Sequence, residues 1–473
     1  MASEKASLQS EGALYELIAR GNKDTYFMRR DAAEGATPLL NPFDRSYNRR
    51  PATVGELRRI PPLNAADFGR TTEFEFEIAG DVFTDTTLLI DLPTWLPAPA
   101  AAANAATGYT VATAAGRQYG YTRGIAYFLF SKIQLYQDKV LLQEFSGDAL
   151  WGSRLARGTL NQAYLDQALT AMTDPSGATL YRLATPGRLR LPLPMVGGKR
   201  GVPSAAIKGQ SFRLRLTLRP LEDCVECSDD AVTRPAPWTE AAFIVTPDSG
   251  TPTSYPPLPR ELIKGPTLQL ETRHIYLDPE SRAAVEAGPH EIPYSVLYEN
   301  MFSFGPDDYK GANVAAGLFP LYTRVLDAKR PASRVFWFMR SEDDLRRNRR
   351  WATGSAANPY WATLSLIIAA RDRETAWGPT VWNTLVQYAK EDRGSGYTVG
   401  EMNWDMGVGP GLAAAGVVPQ GSVNFTTADR PTFLVGIRPP DGTFTTERMN
   451  FLAVVESWGV YTVADGRAMF RYN

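Results

Sequence analysis

Near the start of the chain, Thr72-Glu-Phe-Glu-Phe-Glu-Ile78 alternates without a break between apolar and acidic side chains. A period of two fits an extended strand, whose successive side chains point to opposite faces of a sheet, one dry and one wet. The pattern returns at Ser211–Leu218, where Phe212, Leu214, Leu216 and Leu218 alternate with Arg213, Arg215 and Thr217. Strand-like runs also occur at Thr86–Leu92, after a Gly80-Asp81 turn, and at Ile125–Phe130, Lys132–Tyr136, Leu268–Leu277, Val335–Met339, Thr363–Ala369, Arg430–Ile437 and Met449–Val463. Thirty-five prolines and 39 glycines are spread between these runs rather than gathered in one tract. Such punctuation of short strands predicts an all-β fold with short helices and long loops.

A chain of 473 residues exceeds one ordinary hydrophobic core, so two or three domains are expected. Leu14, Leu17 and Ile18 form one short helical stripe, started by Ser10 and ended by Gly21-Asn22, which predicts an N-terminal arm or helix over 1–35. Pro97–Gly116, mostly Ala, Thr and Gly, reads as a surface loop. Between Pro220 and Pro266 the composition turns to proline, acid and threonine with little periodicity, which reads as a long loop near 220–266. The boundary falls near Asp278–Gly288. This divides the chain into 36–280 and 281–473, two parts of similar texture that suggest a duplicated fold, although no direct sequence repeat is visible.

The charge balance narrows the function. Formal net charge is −1, whereas a protein that coats nucleic acid carries a clear basic excess. The first residues lack a signal-peptide pattern, and no apolar run approaches a transmembrane length, so the expected compartment is the cytosol. The only cysteines, Cys224 and Cys227, form a lone CxxC in an acidic loop, with no second pair of ligands nearby; both read as exposed or half-buried thiols. His274 and His290 are isolated, which fits poorly with a zinc or acid–base site. No phosphate-binding glycine motif or nucleophile elbow is present, and the glycines at 394–396 and 407–411 read as loop glycines. No catalytic, cofactor-binding or metal-binding residues are therefore assigned, and no enzyme activity or cofactor is expected. The densest charge cluster, Ser341-Glu-Asp-Asp344 followed by Arg346-Arg-Asn-Arg-Arg350, reads as a solvated loop. Ten Trp, 21 Tyr and 21 Phe suit core and interface packing, and Asn424-Phe-Thr426 is the one glycosylation sequon.

Several stretches, in order, resemble the double jelly-roll major capsid proteins of nucleocytoplasmic large DNA viruses, such as chloroviruses, iridoviruses and giant amoebal viruses. Gly12 to Tyr26 is similar to the family's N-terminal segment, and Phe76–Leu92 to its opening strand pair. Ile133 to Trp151 is similar to a strand that reaches a tryptophan-bearing turn. Arg190-Leu-Pro-Leu-Pro194 through Phe212–Leu218 resembles the close of the first jelly roll, and Ile275-Tyr-Leu-Asp-Pro-Glu-Ser-Arg282 the hinge into the second. Pro331 to Phe338, Pro419-Gln-Gly-Ser-Val-Asn-Phe425, Met449 to Val455 and the closing Gly466 to Asn473 complete the series. After Phe425 the chain has Thr-Thr-Ala-Asp where the family commonly has Ser-Arg-x-Asp. The composition, rich in Ala, Arg, Gly and Pro, hints at a GC-rich genome of the medusavirus kind.

The resemblance implies two tandem eight-stranded antiparallel jelly rolls (β-sandwiches). It also implies a structural capsid protein forming pseudo-hexagonal homotrimers that tile an icosahedral virion. The implied partners are neighbouring capsomers, penton and minor capsid proteins and an underlying internal membrane layer, without direct genome binding, with assembly in the host cytoplasm or a viral factory. The long loops would form outward towers and the N-terminal arm would face inward. The alternative from a different class is a carbohydrate-binding or carbohydrate-cleaving β-sandwich protein, whose mark would be two facing carboxylates in an aromatic cleft.

Overall fold

The computed structural model describes residues 53–76, 80–106, 108–157, 183–194, 201–313, 315–354, 359–369, 371–385, 399–404, 421–439 and 447–471. The N-terminal helical stripe and the 394–396 and 407–411 glycines lie outside these residues. Residues Val54–Asn473 belong to one compact unit. Its first strands are β1 (Thr53–Ile60), β2 (Thr71–Phe76), β3 (Val82–Asp91), β4 (Tyr109–Thr113), β5 (Tyr119–Tyr121), β6 (Phe130–Gln137) and β7 (Val140–Phe145). They are followed by β8 (Arg188–Leu193), β9 (Phe212–Leu218), β10 (Val225–Cys227), β11 (Phe243–Pro247), β12 (Thr253–Tyr255) and β13 (Thr267–Leu277). After the helix Pro279–Ala287 come β14 (His290–Phe304), β15 (Leu321–Val325), β16 (Pro331–Ser341), β17 (Trp361–Ile368) and β18 (Arg371–Trp377). The last are β19 (Gly400–Asn403), β20 (Val423–Asn424), β21 (Thr432–Ile437), β22 (Met449–Ala464) and β23 (Arg467–Arg471).

Four sheets form the frame. In the first half their strand orders are β1-β13-β3-β8 and β2-β9-β6-β7; in the second they are β14-β22-β16-β19 and β15-β21-β17-β18. The two halves share one wiring. If β1, β2, β3, β6, β7, β8, β9 and β13 are matched in order to β14, β15, β16, β17, β18, β19, β21 and β22, each strand has the equivalent neighbours. The registered pairings are antiparallel. This is an eight-stranded jelly roll built twice, and topology records the duplication that the sequence does not.

The alternation seen in the sequence sets which face is buried. Phe74 and Phe76 of β2, and Phe212, Leu214, Leu216 and Leu218 of β9, point into a first hydrophobic core, while Glu73 and Glu75 pair with Arg213 and Arg215 on the wet face. A second core is centred on Trp337, whose ring meets Trp361, Trp382 and Phe433 edge-on at 5.5–5.8 Å.

Several local expectations are corrected. Ile125–Phe130 does not form a strand: Ile125–Phe128 is a helical turn, all four side chains fully buried, and only Phe130 opens β6. A short apolar run carries no period that separates a buried strand from a buried helix. Pro97–Gly116 contains the helix Ala98–Ala105, with Ala100 and Asn104 buried, and then β4. The 220–266 stretch holds β10, β11 and β12, and two small sheets link it to the 97–121 region: β10-β5 and β12-β11-β4. Trp151 sits in the helix Gly147–Arg157 rather than in a turn. That helix begins at a glycine because a Cβ there would collide with the carbonyl oxygens of Tyr127 and Phe130. The fifteen-residue β14 contains Pro293, which a central strand would not accommodate; β14 lies at a sheet edge, where proline is tolerated.

Candidate functional site: a sealed seam and two open surfaces

The second jelly roll uses both faces of one sheet. Along β16, Val335, Trp337 and Met339 face the second core, while Phe336 and Phe338 face the first. Along β22, Phe451, Ala453 and Val455 face the second core, and Leu452 and Val454 the first. A strand buried on both faces reads as one continuous apolar run. Against this outer face lie β7 and the helix Gly147–Arg157 of the first roll. Trp151 meets Phe338 edge-on at 5.3 Å, and Gly152 lies so close to Phe336 and Phe338 that its missing Cβ is required. Gln143 of β7 donates to the Ser295 carbonyl of β14 (2.9 Å), Ser146 donates to Glu299 (2.7 Å), and Tyr461 donates to Gln137 (2.7 Å).

Buried charges rivet the same seam. Asp148, at the start of the helix, accepts from Arg340 of β16 (2.5 Å) and from Arg219, with Arg350 3.9 Å away. Burial alone would raise the Asp148 carboxyl, but Arg340, Arg219 and Arg350 outweigh it and hold it well below the carboxylate range. Burial, helped by neighbouring Arg219, lowers Arg350 to about 10. A second cluster lies within the second roll itself, joining Arg334 of β16 to Glu456 of β22 (2.7 Å) and Glu401 of β19 (3.0 Å), all nearly inaccessible. Burial opposes the charge on Arg334; Glu456 and Glu401 overcome it and lift its pKa.

The Ser341–Arg350 cluster is therefore not a solvated loop. Ser341 caps the helix Glu342–Arg346, and the arginine-rich turn after it plugs into the Glu222–Asp230 segment of the first roll. Asn348, 2% exposed and in the left-handed conformation that asparagine tolerates, donates to the Glu222 and Val225 carbonyls (both 2.6 Å). Arg349 pairs with Asp230 (2.5 Å). Glu226 accepts from Thr122 (2.5 Å) and Trp351 (2.6 Å), and its burial lifts the carboxyl to about 7. These charges face a segment more than a hundred residues away, so local sequence could not reveal their burial.

Both cysteines are buried, not exposed or half-buried, and burial pushes the Cys224 thiol up to about 12 and also raises Cys227. With Val225–Cys227 extended as β10, three residues at roughly 3.3 Å each hold the two Cα atoms about 10 Å apart, beyond disulfide reach. His274 is buried beside Thr272 (2.9 Å) and Phe83, and His290 bonds the Val285 carbonyl at the end of a helix (2.7 Å). Among the described residues, no group of three or more His, Cys, Asp or Glu side chains is placed to hold a metal. Exposed Asn424 accepts from the Thr426 amide (2.9 Å), an Asx turn at the sequon.

Two open grooves bear on the carbohydrate alternative. One, between the helix Ala98–Ala105 and β4, β11 and β12, is lined by Ala, Pro, Thr, Val and Tyr with no carboxylate. The other is lined by Glu73, but that carboxylate is held by Arg215 at 2.7 Å. Neither offers the two facing acids that a glycosidase needs. Trp95, Trp151, Trp337 and Trp361 are fully buried and serve packing.

The frame and seam define a class: a double jelly roll, two rolls of one topology packed together across one face of the second roll's β14-β22-β16-β19 sheet. Solved structures agree. The chain is similar to the capsid protein in the quasi-atomic capsid of PBCV-1 virus (TM-score 0.65, 13% identity, covering 92% of this chain and 100% of that one). It is also similar to the Faustovirus major capsid protein (TM-score 0.62, 11% identity, 91% and 94% covered). The sequence itself matches no protein-family model and no curated protein.

Proposed function

We propose that this chain is a structural, non-enzymatic major capsid protein of a large icosahedral double-stranded DNA virus. In this reading, 36–280 and 281–473 are its two jelly-roll domains and three copies form a pseudo-hexagonal capsomer. Capsomers tile the virion facets and contact each other, pentons and minor capsid proteins. The 97–116 and 220–266 segments face outward, and the 1–35 arm faces inward, toward a membrane layer rather than the genome. Assembly takes place in the host cytoplasm or a viral factory.

The observation that carries the reading is fold similarity over more than nine-tenths of the chain to the PBCV-1 and Faustovirus capsid proteins. The buried seam supports it, because a shell unit must hold two rolls in one fixed relation. Near-zero net charge supports contacts with protein rather than with nucleic acid. The test is the mass in solution by light scattering after gel filtration. A stable oligomer at three times 52.1 kDa, persisting on dilution, is the expected result. A clean monomer would overturn the reading, and polysaccharide binding and cleavage would then be screened.

A further inference from the structure

Three guanidiniums meet one carboxylate where the start of the helix Gly147–Arg157, the residue after β9, the end of β16 and the arginine-rich turn come together. Arg219 and Arg340 each hold one oxygen of Asp148, and Arg340 also donates to the Arg350 carbonyl (3.1 Å). That leaves Arg350 without a carboxylate of its own. Among the described residues the only one within ion-pair distance is Asp148, at 3.9 Å and beyond hydrogen-bond reach. The buried Nε atoms of Arg219, Arg340 and Arg350 have no hydrogen-bond partner among the described residues.

Neighbouring acids do not restore the balance. Asp223 acts on Arg350 only from beyond ion-pair distance, and Glu299 gives both oxygens to the Ser146 amide and hydroxyl (2.7 Å each). Burial and the like charge of Arg219 both disfavour the charged form of Arg350. The start of the helix adds the positive end of its backbone dipole. Three buried cations against one anion are costly unless a further negative group joins them.

The cluster also has a mouth. Arg340 is 5% exposed, whereas Arg219 and Arg350 are each 15% exposed. A small anion can reach those two from solvent, with Arg340 behind them; a nucleic-acid duplex cannot. A guanidinium presents a fork of donors, and a phosphate has oxygens enough to take two forks at once.

We propose that Arg219, Arg340 and Arg350 form a binding site for a phosphate-type oxyanion, which bridges Arg219 and Arg350 on the open side and balances the charge of the seam. Arg219 belongs to the first roll and Arg350 to the second, so the anion ties the two rolls together and makes their union sensitive to phosphate. The site is independent of the capsid role proposed above.

The experiment titrates the full chain with inorganic phosphate at constant ionic strength, by calorimetry and by thermal unfolding. Phosphate at about a hundred times its dissociation constant should raise the melting temperature by roughly 3 °C and then saturate. Arg350→Gln should abolish both the heat of binding and the shift. In phosphate-free buffer it should melt no lower than wild type, because it removes an unpaired buried cation. A residue that served only to steady Asp148 would instead lower the melting temperature with or without phosphate. Arg350→Lys, which keeps the charge and loses the fork, should bind about tenfold more weakly. Arg349→Gln, next in the chain but paired with Asp230 (2.5 Å), should keep the full response. ATP run in parallel separates the sources: the tighter of the two ligands, with the same loss in Arg350→Gln, identifies a free phosphate or a phosphate ester. Absence of binding by wild type to either ligand, or equal binding by Arg350→Gln, would overturn the site.

Discussion

Replacing Asp148 with Asn removes one negative charge from beneath three guanidiniums and tests whether the seam depends on that charge. In the native protein the Asp148 oxygens bond Arg340 at 2.5 Å and Arg219, with Arg350 at 3.9 Å. At an effective dielectric of about 20, a unit pair about 4 Å apart is worth roughly 4 kcal/mol before desolvation is counted. Asn retains one acceptor oxygen, but it leaves the arginines as uncompensated buried cations, a loss of about 3–5 kcal/mol. That is a large share of the roughly 5–15 kcal/mol by which folded proteins exceed their unfolded states. Equilibrium urea unfolding followed by tryptophan fluorescence is the assay, with Trp151 three residues away in the same helix. The pH dependence has a defined sign. The folded state depresses this carboxyl below its ordinary 3.8, so its contribution is present above that value and is lost as pH falls through the folded one. The gap between wild type and Asp148→Asn is then complete above about pH 5 and narrows only in stronger acid. A difference under about 1 kcal/mol at pH 7 would mean that apolar packing alone holds the seam, and the electrostatic account would be wrong.

Three further outcomes follow from neighbouring features. Glu226 behaves oppositely to Asp148: its folded carboxyl titrates at about 7, above the ordinary 4.5, so wild-type stability falls as pH rises between those values. Glu226→Gln keeps an acceptor for Thr122 and Trp351 while removing the buried charge; it should stabilise by about 1–3 kcal/mol at pH 8 and by nothing at pH 4.5, read from urea midpoints. Gly400→Ala places a methyl group against the Trp337 ring and should cost about 1–3 kcal/mol; an unchanged melting temperature would show that the ring can move aside. Cys224 and Cys227 should resist maleimide at pH 8 in the native protein and react fully in denaturant, and rapid native labelling would contradict their burial.

The sequence disclosed strands where one face is wet. Glu73 and Glu75 against Phe74 and Phe76 leave a period of two that nothing else produces. It disclosed less where both faces are dry. Val335–Met339 was legible as a strand, but nothing in it indicated that Phe336 and Phe338 face a different core from Val335 and Trp337. It misled where burial is created by distant partners, as at Asn348 and Arg349, which look like surface residues until the Glu222–Asp230 segment is laid over them. The two-roll architecture was reached through ordered resemblances, and its plainest physical record, the matched strand order, exists only in three dimensions.

The two small sheets beside the first roll have an evolutionary consequence. β4 and β5 lie in the connection from β3 to β6, and β10 and β11 in the connection from β9 to β13, yet they pair as β4 with β11 and β5 with β10. Neither connection can lose its strands alone without stripping hydrogen-bonding partners from the other. Drift in this region is therefore coupled across more than a hundred residues of sequence, and lineages should exchange the two insertions as a pair while the sixteen-strand frame beneath them stays constant.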